Sequence, residues 1–110
     1  MIIYEVNLEV EPEIQNEFTK WLDQHIKEIL SIEGFTKAQW FNRDPKDEDL
    51  NPKLTYFTIH YYLKDREAYE NYLQNHASFY RKDGQKRFGK KFKANRRVLE
   101  LTANFLTKNV

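Results

Sequence analysis

The apolar residues of this chain switch between the two-residue period of a strand and the longer period of a helix, and the order of the switches leaves few folds open. Ile2, Tyr4, Val6, Leu8 and Val10 alternate with Ile3, Glu5, Asn7 and Glu9, so the first segment reads as a strand buried on one face. After Pro12 the stripe Ile14, Phe18, Trp21, Leu22, His25, Ile26, Ile29 and Leu30 marks an amphipathic helix with proline tolerated in its first turn, stopped at Gly34. Phe35 to Arg43 reads as a second strand. The polar loop from Asp44 to Pro52 follows, kept out of any central strand by its two prolines. Leu54 to Leu63, rich in β-branched and aromatic residues, is the third strand. Asp65 supplies an N-cap for a second helix carrying Tyr69, Tyr72, Leu73, His76, Phe79 and Tyr80 at helical spacing, with Gly84 as its stop. Phe88 and Phe92 predict a short helical turn, and Arg97 to Ala103 the last strand.

Strand, helix, strand, strand, helix, strand is the order of a ferredoxin-like α+β fold, an antiparallel sheet with both helices on one face. At 110 residues the chain is the size of one domain, expected over 1–110. If Tyr4, Val6, Leu8, Phe57, Ile59, Tyr61, Leu99 and Leu101 face the helices, then Glu5, Asn7, Tyr56, Thr58, His60, Tyr62, Glu100 and Thr102 face the other way. That second face is neither oily nor fully polar.

Composition removes several function classes. There is no cysteine, so disulfide frameworks, thiolate zinc sites and cysteine nucleophiles are out. No His-x-x-x-His or His-x-Glu spacing occurs among His25, His60 and His76, and no metal site is expected. Three scattered glycines make no phosphate loop, and no cofactor motif is present. The start lacks the charged-then-apolar pattern of a signal peptide, and the apolar run ending at Leu63 is shorter than the roughly 20 residues that span a bilayer, so a cytoplasmic protein without a membrane partner is expected. Net charge is +1, but residues 80–97 carry nine Lys or Arg against Asp83 alone.

Most of the chain resembles an uncharacterised family catalogued as domain of unknown function 4286. The resemblance is carried by Met1-Ile2-Ile3-Tyr4 and Val6, then His76-Ala77, Gly84, Arg87-Phe88-Gly89, Phe92, Ala94, Arg96-Arg97 and Leu99-Glu100. It implies a dimeric α-β barrel, in which two copies pack through the sheet faces that helices leave uncovered, and it implies no established activity. Related barrels include monooxygenases of polyketide quinones and haem-degrading enzymes. Asn7 stands where the haem-degrading group keeps an asparagine, but Tyr72 and Lys82 stand where it keeps a tryptophan and a histidine.

Strand one of such a sheet lies between strands three and four, so Glu5 and Asn7 are expected beside both His60 and Glu100. A histidine between two carboxylates could serve as a general base with Glu5 and Glu100 tuning it, or form a hydrogen-bonded network in a dimer interface. Asn7, Tyr56, Tyr62 and Trp40 are candidates to line a ligand pocket, alternatively ordinary packing. His25, within the apolar stripe of helix one, reads as a core or edge histidine. Arg96 and Arg97 are candidates to hold an anion or acids of a partner subunit. The basic stretch with Tyr80, Phe88 and Phe92 interleaved has the character of a nucleic-acid grip. The third strand, however, lacks the glycine-bearing aromatic signature of RNA recognition motifs. The sequence thus points to a homodimer that binds a small molecule, or acts as a cofactor-free enzyme, in a cavity enclosed by its sheets. The other reading is a non-catalytic module whose 81–97 segment binds an acidic protein or nucleic acid.

Overall fold

A computed structural model describes residues 1–108. The strands are β1 (Ile2–Val10), β2 (Phe35–Arg43), β3 (Thr55–Leu63) and β4 (Phe92–Glu100), and the helices α1 (Gln15–Leu30), α2 (Arg66–Asn75) and α3 (Ala77–Phe88). The strands form one antiparallel sheet in the order β2-β3-β1-β4. This is the ferredoxin-like arrangement, with its helices packed on one face.

Local chemistry accounts for the element ends. The Asp65 carboxylate accepts from the Ala68 amide at 2.9 Å, capping α2. Gly34 turns the chain into β2 with φ +98°, and a Cβ there would lie 2.4 Å from the Ala68 Cβ, so neither the backbone nor the space admits a side chain. Between sheet and helices lie Ile2, Tyr4, Val6, Leu8 and Val10 of β1, Phe57, Ile59, Tyr61 and Leu63 of β3, and Phe18, Leu22 and Ile29 of α1. Burying each such large side chain stabilises the fold by about 1.5–3 kcal/mol.

Three expectations are corrected. The second helical stretch is two helices joined at His76, whose backbone (φ −131°, ψ −36°) breaks the helical geometry. Gly84 does not stop it: it sits within α3, where a Cβ would come 3.0 Å from the Trp21 ring, so its lack of a side chain makes room for Trp21. Finally, β4 begins at Phe92 rather than Arg97, because the Phe88 and Phe92 rings both pack on Phe18, at 5.2 and 5.1 Å, and pull the chain into the sheet early.

The register of β4 places Ala94, Arg96, Val98 and Glu100 on the helix side and Lys93, Asn95, Arg97 and Leu99 on the open side, the reverse of the expected facing for Leu99 and Glu100. Beyond Glu100 the chain leaves the sheet. There Phe105 is 89% and Leu106 81% exposed.

Candidate functional site

On the open face the register lines up Gln39, His60, Glu5 and Arg97 across the four strands, with Phe41, Thr58, Asn7 and Asn95 in the next row. Glu5 is 5% exposed even in a single chain. Its carboxylate accepts from Arg97, from Asn7 Nδ2 at 2.9 Å and from His60 Nε2 at 2.8 Å. A carboxylate only accepts, so the His60 ring carries its proton on Nε2 at that contact. The Thr58 hydroxyl donates to Asn7 Oδ1 at 2.6 Å. Burial pushes the Glu5 pKa up, but the hydrogen bonds from Arg97, Asn7 and His60 outweigh it and hold the carboxyl at about 2. The edge of Phe41 meets His60, with ring centres 5.1 Å apart.

The structure therefore brings Glu5, His60, Asn7 and Arg97 together and sends other candidates elsewhere. Glu100 is not beside His60: it stands opposite Ile2 on the helix side and pairs with Arg66 of α2. The role expected of Glu100 falls to Arg97, a cation, which makes the cluster an ion-pair network rather than a histidine between two acids. Trp40 also faces the helix side, edge-on to Phe57 at 5.2 Å, and not the sheet face where the other ligand candidates lie. Tyr62 is on the open face and donates to Gln39 Oε1 at 2.7 Å. Tyr56, on the same face, is buried under the Arg43 guanidinium, 5.8 Å from its ring centre. Within the basic stretch, Arg87 pairs with Asp83, Lys91 with Glu13, Lys93 with Glu9 and Arg97 with Glu5.

A second constellation lies on the other side of the sheet, where β1, β3 and β4 face α1 and α3 across a cavity of about 40 Å³. Val6, Leu8 and Ile59 make its floor, and Tyr4, Tyr72, Tyr80, His25, Arg81 and Arg96 also line it. His25 stacks on Trp21 with ring centres 4.4 Å apart and meets the edge of Tyr80. Its Nδ1 is fully buried and has no hydrogen-bond partner among the described residues. Burial of the ring, reinforced by Arg96 and opposed by Asp83, holds the His25 pKa down at about 4, so the imidazole is neutral at pH 7. Burial likewise pushes the Tyr61 and Tyr72 phenols up, and both stay protonated. Arg81 donates to the Tyr4 hydroxyl at 3.1 Å. Trp21 Nε1 donates to Asp83 Oδ2 at 2.9 Å, which fixes the indole beside the cavity.

Sequence reasoning missed this site. It placed His25 with the packing residues and Arg96 on the same footing as Arg97, although neighbours in a strand point to opposite faces. The available signal was the Trp21/His25 pair four residues apart on one helix face. Among the described residues no three metal-ligating side chains converge, and no helix is long and apolar enough to cross a membrane.

No curated protein matches the sequence. Among solved structures, the chain is similar to a dimeric ferredoxin-like protein from an uncultured marine organism (15% identity, TM-score 0.68, covering 97% of this chain and 100% of that one). It is also similar to a Deinococcus radiodurans protein proposed to be an antibiotic biosynthesis monooxygenase (14%, TM-score 0.67, 97% and 100%). A variant of SnoaB, a cofactor-independent oxygenase from Streptomyces nogalater, aligns at 13% identity and TM-score 0.65 over 94% of this chain and 95% of that one. At these identities the likeness is one of fold. The model of the family described as "Domain of unknown function (DUF4286)" matches residues 1–102, and the chain belongs to that family.

Proposed function

We propose that this protein is a homodimer that binds a small molecule, or acts on one without a cofactor, in the cavity between the sheet and helices α1 and α3, while the open sheet face joins two copies. The observation that carries the reading is the cavity itself, an apolar-floored space bordered by the neutral His25 ring, by tyrosines and by two arginines. Apolar walls on which a few polar side chains converge are the ordinary make-up of a small-molecule site. On the open face, by contrast, Glu5, Asn7, Thr58 and Arg97 already satisfy one another within the chain, as a network destined for an interface must. Exposed Phe41 on that face, and Leu101, Phe105 and Leu106 beyond the end of β4, supply apolar surface for a second copy. SnoaB shows that a chain of this fold can carry cofactor-independent oxygenase chemistry, which is compatible with the proposal.

Two measurements test it. Light scattering should give a molar mass near twice 13.4 kDa; a monomer would leave the open face unpartnered and remove the dimer. A fragment library screened by NMR should shift the His25 ring signals. A second reading, a ligand held between the two sheets, is favoured by the partial exposure of the His60 side chain beside Glu5. Fragments that shift His60 and leave His25 unmoved would replace the first reading with the second.

A further inference from the structure

The cavity has a charge imbalance that says what kind of molecule it holds, an inference that rests on its being the ligand site. Among the described residues no Asp or Glu lines it. Neither Arg81 nor Arg96 has a carboxylate partner among those residues: Arg81 donates to the Tyr4 hydroxyl, and Arg96 comes from the helix side of β4. The nearby acid, Asp83, is taken up by Trp21 and Arg87. With no carboxylate on its lining, the two guanidiniums stand uncompensated at a space walled by Val6, Leu8, Ile59, Trp21 and Phe92. Both arginines are exposed to water, so they meet the cavity at its rim. A guanidinium at the mouth of an apolar-walled space attracts an anion, and its fork matches the two oxygens of a carboxylate.

We propose that the cavity takes a small planar monoanion, a carboxylate of about acetate size, gripped by Arg81 and Arg96 at the rim with its apolar end toward Val6 and Ile59. The cavity volume of about 40 Å³ sets the size. It admits a few heavy atoms and excludes a sugar or nucleotide unless α3 moves. Tyr72 and Tyr80 line the same space, and its aromatic and aliphatic walls suit a methyl or vinyl group better than a second charge.

The test uses the intact protein with Trp40→Phe as background, so that Trp21 is the sole tryptophan reporter. Sodium acetate, acetamide and phosphate are titrated at fixed ionic strength while Trp21 emission and the His25 ring resonances are followed. Acetate should give a saturable change in both signals at a concentration at least tenfold lower than acetamide. Arg96→Gln should remove that preference and Arg96→Lys, which keeps the charge and loses the fork, should restore only part of it, with unchanged thermal melting as evidence that the variants fold. Acetamide binding as well as acetate would overturn the anion assignment and leave the cavity as the ligand site. Phosphate binding more tightly than acetate would overturn the choice of a monoanion. If no probe moves either signal, both the assignment and the cavity reading fall.

Discussion

Acid should destabilise this protein in a window that belongs to His25. The ring is neutral in the folded state with its pKa held at about 4, whereas in the unfolded chain it returns to the ordinary 6.5. Between these values the unfolded state binds a proton that the folded state refuses, so stability falls as pH falls. The full effect is about 3 kcal/mol from a shift of that size; between pH 7 and pH 5, before most carboxylates titrate, it is about 2 kcal/mol. Urea denaturation of wild type and His25→Phe at the two pH values isolates it, because Phe keeps a ring on Trp21 and cannot take a proton. The other histidines, His60 and His76, are present in both proteins and cancel in the comparison. The wild type should lose about 2 kcal/mol more than the variant. Equal losses would show that His25 is not held neutral by its surroundings, and the account of the cavity's electrostatics would be wrong.

Other substitutions probe the frame and the open face. Glu5, held at about 2 against an ordinary 4.5, contributes stability that is complete above pH 5 and is lost on descending toward pH 2. Because the Arg97 end of the network is solvent-exposed, Arg97→Gln should cost only about 1–2 kcal/mol in urea denaturation at pH 7, and the gap should narrow by about half at about pH 2.5, as the Glu5 carboxylate begins to protonate; a constant gap would mean that Arg97 acts through packing rather than through the Glu5 charge. Gly34→Ala combines a strained φ with a collision at Ala68, and calorimetry should show a loss of about 3 kcal/mol; a stable variant would refute the tight α1–β2 turn. Phe18→Ala, at a site with no exposure where the Trp21, Phe88 and Phe92 rings meet, should lose about 3–5 kcal/mol in the same assay; a loss under 1 would mean that this aromatic cluster does not hold β4 to α1.

The facing of β1 and β3 followed from sequence because the two-residue period is local: Tyr4, Val6 and Leu8, like Phe57, Ile59 and Tyr61, need no knowledge of their neighbours to declare a buried side. Helix α1 was legible for the same reason. In β4 the period is masked, because Arg96 on the inner face and Arg97 on the outer face look alike, while Leu99 and Leu101 suggest an inner face one residue out of step. Only the packing of Phe88 and Phe92 on Phe18 sets that register, and with it decides that Arg97 rather than Glu100 meets Glu5. The His76 break and the cavity were likewise beyond the sequence. His25, Arg81, Arg96 and Tyr4 come from α1, α3, β4 and β1, and whether four such side chains enclose a space or fill it depends on helix-to-sheet distances that no local pattern encodes.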